Sequence, residues 1–237
     1  EAIRAGRNKY APTAGLPELR EALRRHVSGR YGFEPEDLLV TAGVSGGLSL
    51  AMLALVEPGD EVLVPDPYFV SYKQLVHLAG GTPVFYDTYP DWKVDAAKVA
   101  ALITPRTKVL LVNTPGNPTG AVIPREQLEA LAAVAEARKL VVISDEIYDD
   151  FFYDQEAAPS FGSLYRKTLV LNGFSKSQAM TGWRVGWAAG PAEIVGAMAK
   201  MQQFTFVTVP QPFQLAARHA LEAGGPPAAG HLEEYRS

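Results

Sequence analysis

A lysine and an aspartate are the first residues in this sequence whose types and settings could do chemistry. Lys176 ends the segment Gly173-Phe-Ser-Lys176, where its neighbours are small or aromatic rather than charged. Burial and a nearby cation such as Arg184 would lower the pKa of its amine and make it a nucleophile. Asp145 follows an apolar run, where a buried carboxylate needs a cation or a protonated ring nitrogen. Each motif is weak alone, since solitary lysines are often solvated and solitary aspartates often bond a backbone amide.

Two other segments supply hydrogen-bond donors. Gly43-Val-Ser-Gly-Gly47 leads into a predicted helix, where small residues let backbone amides approach an anion and the helix N-terminus adds partial positive charge. The same small residues also suit a helix cap. Asn113-Thr-Pro-Gly-Asn117 offers side-chain amides, although it is also typical of a rigid double turn. Tyr148 adds a phenol three residues after Asp145.

These four places together match the functional groups of one cofactor, pyridoxal 5'-phosphate. Its phosphate requires backbone amides, serine and arginine, and its phenolic oxygen requires amide and phenol donors. Its protonated ring nitrogen requires a carboxylate, and its aldehyde requires a lysine amine. The sequence therefore predicts a pyridoxal-phosphate site.

The elements that would position these residues alternate along the chain between short β-rich runs and longer helical patterns. This alternation is typical of crossover units, so we expect an α/β fold with a mostly parallel, seven-stranded sheet sandwiched by helices. The predicted strands are 38–41, 61–64, 82–86, 108–113, 140–144, 168–172 and 185–189, and the clearest helices are 17–31, 46–56 and 124–139. Ligands of such folds lie at the carboxyl ends of the strands, which is where the four places fall.

Composition excludes several classes of function. The 22 basic and 26 acidic side chains give a net charge of −4, so no basic stripe predicts binding to nucleic acid. The absence of cysteine excludes disulfides and thiolate zinc sites, and it is compatible with a reducing, cytoplasmic location. The four histidines are isolated from one another, so we expect no metal site. The longest apolar runs, such as 51–56, are too short for the ~18 residues that span a membrane.

Six motifs, in order and spacing, resemble those of the class I/II aminotransferases of fold-type I, of the aspartate/aromatic aminotransferase type. The resemblance runs through nearly all of the chain. The motifs are Asn8-Lys-Tyr10 with Gly15-Leu-Pro-Glu-Leu-Arg20, Thr41-Ala-Gly43-Val-Ser45, Pro65-Asp-Pro-Tyr-Phe69, Asn117-Pro-Thr-Gly120, Ser144-Asp-Glu-Ile-Tyr148, and Ser175-Lys176 through Arg184.

The resemblance implies a role for each matching residue around the cofactor ring. Lys176 forms the Schiff base and, once released, moves the proton at the substrate Cα. Asp145 pairs with the ring nitrogen, Asn117 and Tyr148 bond the phenolic oxygen, and Phe69 stacks on the ring.

The resemblance also implies a phosphate site and a partner. The phosphate-binding residues would be Gly43, Val44, Ser45, Ser175 and Arg184. Many relatives have a serine where this chain has Gly173, which places more of the phosphate binding on Ser45, Ser175 and Arg184. Tyr10 would reach the phosphate of the neighbouring subunit in a homodimer.

We therefore expect amino transfer between an L-amino acid and a 2-oxo acid, with the donor left open. One alternative is a β-lyase that acts on sulfur amino acids, because the cofactor-binding residues do not decide which substrate bond breaks. Another is an aminotransferase-like, ligand-sensing domain of a transcription regulator. A nucleotide-binding α/β module is a third reading, but it would leave Lys176, Asp145 and Tyr148 without a joint purpose.

The expected domain organisation is a cofactor-binding large domain over residues 1–222, whose first 30 residues form an interface segment and a helix. Residues 223–237 would begin the connection to a C-terminal small domain. In the family, an arginine of that small domain usually binds the substrate carboxylate, and neither this arginine nor the family's N-terminal segment is recognisable here. We therefore expect these 237 residues to be part of a longer enzyme and nearly inactive alone.

Overall fold

Seven short, largely apolar segments form one sheet in the computed structural model, which describes residues 1–153 and 159–223. The strands are β1 Asp37–Thr41, β2 Glu61–Asp66, β3 Thr82–Asp87, β4 Thr107–Asn113, β5 Val141–Asp145, β6 Thr168–Gly173 and β7 Gly186–Gly190. The helices are α1 Pro17–Tyr31, α2 Gly43–Leu55, α3 Ser71–Leu78, α4 Ala96–Ala101, α5 Arg125–Arg138, α6 Ala192–Thr205 and α7 Gln211–Glu222, with short 3-10 turns at Phe161–Ser163 and Thr181–Trp183.

The strand order is β1-β7-β6-β5-β4-β2-β3. β7 runs antiparallel to both of its neighbours, and the other adjacent pairs are parallel. The predicted α/β class and mostly parallel, seven-stranded sheet are therefore confirmed. Because β7 is reversed, its first residue, Gly186, pairs with Thr41 at the end of β1 and with Gly173 at the end of β6. The segment before β7 thus joins the carboxyl ends of the other strands at one edge.

Helices cover both faces of the sheet because neighbouring strand residues point to opposite sides. Leu39 and Leu111 pack in the core under α2, α3 and α6. Leu38 packs on the other side with α1 and α7, and Leu110 packs there with α4 and α5. This arrangement is the predicted sandwich.

The helix boundaries follow local sequence signals, with one correction. Helix α5 begins after Pro124, a residue with fixed φ that suits the start of a helix. Helix α1 ends at Tyr31 and is followed by Gly32, whose φ of 72° favours glycine. The prediction of a helix over 46–56 was wrong at its start, since α2 begins at Gly43. Residues 43–45, which the prediction placed before the helix, therefore belong to the first turn of α2, which brings its backbone amides to the sheet edge.

The expected domain boundary at residues 222–223 falls where α7 ends, at Glu222. Residues 224–237, which belong to the expected connection to a small domain, lie outside the described residues, so this boundary stays a prediction. Across residues 1–153 and 159–223, no helix combines the length and the apolar character that crossing a membrane would require.

Candidate active site

A cavity of about 210 Å³ opens at the edge of the sheet where the strands end. It contains nine of the eleven predicted site residues. The residues that line it are Val44, Ser45, Leu48, Phe69, Tyr72, Asn113, Asn117, Asp145, Ile147, Tyr148, Ser175, Lys176, Thr181 and Arg184. The two predicted residues outside this lining are Gly43 and Tyr10.

The acid of the site is Asp145, the last residue of β5, which is only 3% exposed. Its Oδ2 accepts a hydrogen bond from the Tyr72 hydroxyl at 2.8 Å, and its Oδ1 accepts one from the Ile147 amide at 3.3 Å. Burial raises the pKa of Asp145 to about 6, while these two bonds and the positive charge of Lys176 act in the opposite direction. The site therefore holds a carboxylate that is costly to ionise without a cationic partner.

An amide and a phenol meet beside this acid. The Asn117 side-chain nitrogen lies 3.5 Å from the Tyr148 hydroxyl. Asn113 links Asn117 to β5. Its Oδ1 accepts a hydrogen bond from the Asn117 backbone amide at 2.8 Å, and its Nδ2 donates one to the Asp145 carbonyl at 2.9 Å. The Asn117 amide and the Tyr148 hydroxyl can thus donate to the same ligand oxygen.

Lys176 lies in the loop that follows β6, with its Nζ 5.4 Å from the centre of the Tyr148 ring. The loop folds back on itself, since the amide of Ala179 donates to the Lys176 carbonyl and that of Met180 donates to Phe174. Phe174 and Met180 are buried in the core. The backbone that carries the Lys176 side chain is therefore anchored at both ends of the loop.

The packing of the sheet explains why position 173 is a glycine. A Cβ atom at this position would lie 2.7 Å from the Gly186 Cα and 2.9 Å from the Val185 carbonyl oxygen. Both are backbone atoms, so the two strands would have to separate to admit any side chain. The close approach of β6 and β7 therefore leaves no room for a side chain at position 173.

The other predicted ligands form an anion-binding corner at the start of α2. Helix α2 has no side-chain cap, so the amides of its first turn remain available to an anion. Gly43 leaves room for the Arg184 guanidinium, because a Cβ atom at position 43 would lie 2.5 Å from one of the guanidinium nitrogens. Arg184 also donates to the Thr181 carbonyl at 2.9 Å. Ser45 and Ser175 add hydroxyls to the same lining.

Tyr10 lies apart from this cavity and is 83% exposed. Its segment is nevertheless held in place by glutamines of the C-terminal helices. The Gln211 side chain donates to the carbonyls of Lys9 and Tyr10, and the Gln202 side chain donates to that of Thr13. The backbone near Tyr10 is fixed while its ring remains free to meet another molecule.

Sequence reasoning missed the part that Tyr72 plays, and it missed a second buried acid. Tyr72 stands three residues after Phe69, a helical spacing that could have suggested that the two rings meet. Glu146 is buried next to Asp145, and burial raises its pKa to about 7. Its Oε1 accepts from the Ser144 and Ser160 hydroxyls and from the Phe161 amide. Glu146 thus fastens the loop after β5 to the turn at residues 161–163.

Comparison with known proteins places this geometry in context. The family model described as aminotransferase class I and II matches residues 1–237. An aspartate/prephenate aminotransferase of Thermus thermophilus is 46% identical over 204 residues, which are 84% of this chain and 53% of that protein. The putative aminotransferase YugH of Bacillus subtilis is 39% identical over 241 residues, which are 99% of this chain and 62% of that protein.

Solved structures agree with the sequence relatives. The aspartate aminotransferase from Thermus thermophilus with maleate matches with a TM-score of 0.92 and 42% identity, covering 99% of this chain and 62% of that one. An aromatic aminotransferase from Pyrococcus horikoshii matches with a TM-score of 0.93 and 36% identity, over 99% and 64% of the two chains. The chain thus spans less than two thirds of the length of these relatives.

Proposed function

The chain belongs to the class I and II aminotransferases, and we propose that the intact protein transfers an amino group between an L-amino acid and a 2-oxo acid. Aminotransferases of these classes use pyridoxal 5'-phosphate. The observation that carries the proposal is one cavity that combines an amine, Lys176, with a buried carboxylate, Asp145, and an amide–phenol pair. A nucleotide-binding module would leave these three features without a joint purpose, whereas a lyase or a ligand sensor would use the same site and is separated by the assay below.

The residues present fit this cofactor by the chemistry of their donor and acceptor atoms. The two hydrogen-bond donors to Asp145 described above are neutral, so a protonated pyridine nitrogen is a suitable cation for its free lone pairs. The space that Gly43 leaves is filled by the Arg184 guanidinium at the uncapped N-terminus of α2, which suits a phosphate dianion.

In this proposal, Asp145 holds the ring nitrogen and Phe69 lies against the ring face. Asn117 and Tyr148 donate to the phenolic oxygen. The phosphate is held by Ser45, Ser175 and Arg184 together with the backbone amides of Gly43 and Val44, the last of which contributes no side-chain donor.

When bound, the cofactor supplies an electron-accepting ring conjugated to the substrate nitrogen. Lys176 would hold the cofactor aldehyde through its amine, and its Nζ, when free, would move the proton from the substrate Cα to the cofactor, as amino transfer requires. Asp145 would keep the ring nitrogen protonated, because its negative charge in a buried site favours the cationic form. Tyr148, whose ring lies near the Lys176 Nζ, would donate its hydroxyl to the phenolic oxygen.

The proposal includes a homodimer in which Tyr10 reaches the phosphate of the neighbouring subunit. Its support is the contrast between a fixed backbone, held by Gln211, and an exposed ring that contacts no part of the cavity in its own chain. Sedimentation of the intact protein should show a dimer. A Tyr10→Phe substitution should weaken cofactor binding without changing the sedimentation coefficient, whereas a monomer with full cofactor affinity would contradict this part.

Amino transfer can be tested with a panel of L-amino acids and 2-oxoglutarate, beginning with aspartate because several relatives are named for it. We expect one amino acid product for each 2-oxo acid consumed. Lys176→Ala should abolish turnover, while Lys167→Ala, which changes an exposed lysine before β6, should leave it unchanged. Turnover of sulfur amino acids without any 2-oxo acid would indicate a lyase instead, and cofactor binding with no turnover would indicate a ligand sensor.

A further inference from the structure

Tyr72 contacts both Asp145 and Phe69, the two residues that we propose bind the nitrogen and the face of the cofactor ring. It is the second residue of α3, is 1% exposed and lines the same cavity as Lys176. Its hydroxyl donates to the Asp145 Oδ2 at 2.8 Å. Its ring meets the Phe69 ring edge to face, with centroids 5.6 Å apart and planes at 80°. One buried side chain therefore contacts both the acid and the aromatic residue.

We propose that Tyr72 is a positioning residue that orients Asp145 toward the ring nitrogen and Phe69 toward the ring face. The inference rests on the proposed roles of Asp145 and Phe69, and it adds a residue that reaches the cofactor only through them.

Tyr72 constrains the orientation of the Asp145 carboxylate. The torsion that turns an aspartate carboxyl group is broad, so its plane is set by its hydrogen bonds. The Tyr72 bond is short and comes from a fully buried donor, whereas the Ile147 amide lies 3.3 Å from Oδ1. Tyr72 therefore contributes the stronger constraint on the plane of Asp145, and it holds this plane before any ligand arrives.

Tyr72 also affects the charge on this carboxylate. The groups that face Asp145 are the Tyr72 phenol from α3, the Lys176 amine from the loop after β6 and the Ile147 amide from the loop after β5. Tyr72 is itself near the phenols of Tyr86 and Tyr148. The Tyr72 bond lowers the pKa of Asp145 against the effect of burial, so its loss would raise this pKa toward neutrality. A protonated Asp145 could no longer balance a cationic ring nitrogen.

Tyr86 provides a matched control for the loss of a buried phenol hydroxyl. It is as deeply buried as Tyr72, and its hydroxyl donates at the same distance of 2.8 Å, but to the carbonyl of Leu111. It lies on β3 and does not line the cavity. Tyr86→Phe therefore removes a comparable hydrogen bond without touching Asp145 or Phe69.

The experiment measures the dissociation constant of pyridoxal 5'-phosphate from the intact, cofactor-depleted protein between about pH 5 and pH 9, where the pH dependence reports the pKa of Asp145. Tyr72→Phe should weaken binding about tenfold at neutral pH, the effect expected when a hydrogen bond to a charged group is lost. The pH at which its affinity changes should also be higher than in the wild type, because the pKa of Asp145 is raised. Tyr86→Phe should stay within about twofold of the wild type in affinity, with an unshifted profile.

Two further variants keep the outcomes separable. Replacing Tyr72 by 3-fluorotyrosine retains the ring and makes the phenol a stronger donor, so it should shift the pH profile downward even if Tyr72→Phe does not fold. The inference is overturned if neither change at position 72 moves the affinity or the profile. Asp145→Asn tests the underlying proposal separately: wild-type affinity in that variant would contradict the role of Asp145 itself.

Discussion

Replacing Asp145 by asparagine should stabilise the cofactor-free protein at neutral pH while it impairs the function. Burial raises the pKa of this carboxyl from 3.8 to about 6, which at about 1.4 kcal/mol per pKa unit corresponds to about 3 kcal/mol. The folded state binds the proton more tightly than the unfolded state, so the cost is absent below about pH 4 and complete above about pH 6. Asparagine has a similar shape, keeps an acceptor for Tyr72 and carries no charge.

The assay is urea unfolding of the intact, cofactor-free protein at several pH values from about 4 to 8. The wild type should lose up to about 3 kcal/mol of unfolding free energy through Asp145 as the pH rises through this range, and Asp145→Asn should lack this loss. Glu146, whose pKa burial also raises, to about 7, contributes its own pH dependence to both proteins. The difference between the two curves therefore isolates Asp145.

Asp87→Asn is the control, since Asp87 also ends a parallel strand but is exposed. This change should leave the pH dependence as it is in the wild type. With substrates present, Asp145→Asn should still bind the cofactor, with lower affinity than the wild type, but lose most turnover, because a neutral amide does not favour a cationic ring nitrogen. The reasoning would be refuted if Asp145→Asn were no more stable than the wild type at about pH 7.5 and showed the same pH dependence.

Two other substitutions test the packing that supports the site. Gly173→Ala should destabilise the protein by about 1–3 kcal/mol, because the new Cβ would lie 2.7 Å from the Gly186 Cα; Gly29→Ala, in α1 with open space around it, should be neutral or slightly stabilising in the same unfolding experiment. Gln202→Leu should cost about 1–3 kcal/mol, because it leaves two backbone carbonyls without their donor, and an unchanged unfolding midpoint would contradict that account.

The strands were predictable from the sequence because burial on both faces gives short, continuous apolar runs, which few other structures require. The placement of Asp145 and Lys176 at one edge followed from the rule that parallel strands end together. The direction of β7 was not predictable, since an apolar run such as 185–189 reads the same for a parallel and an antiparallel strand. It is this reversal that brings Arg184 to the carboxyl edge and against Gly43.

The contacts of Tyr72 were beyond sequence reasoning for a different reason. Its partner Asp145 lies 73 residues further along the chain, and only the packing of α3 over the sheet joins them. Gly173 was noticed as a departure, but its cause, the close approach of Gly186, depends on which strands are neighbours. Tyr10 stays a prediction, since its proposed contact lies in a second subunit.

The central claim is that Lys176 is the residue that holds the cofactor. Borohydride reduction of the intact holoprotein fixes the imine, and peptide mapping then locates the modified lysine. We predict a pyridoxyl group on the peptide that contains Gly173-Phe-Ser-Lys176 and on no other lysine. A pyridoxyl group on a different lysine, with Lys176 unmodified, would contradict the assignment of the site and the mechanism built on it.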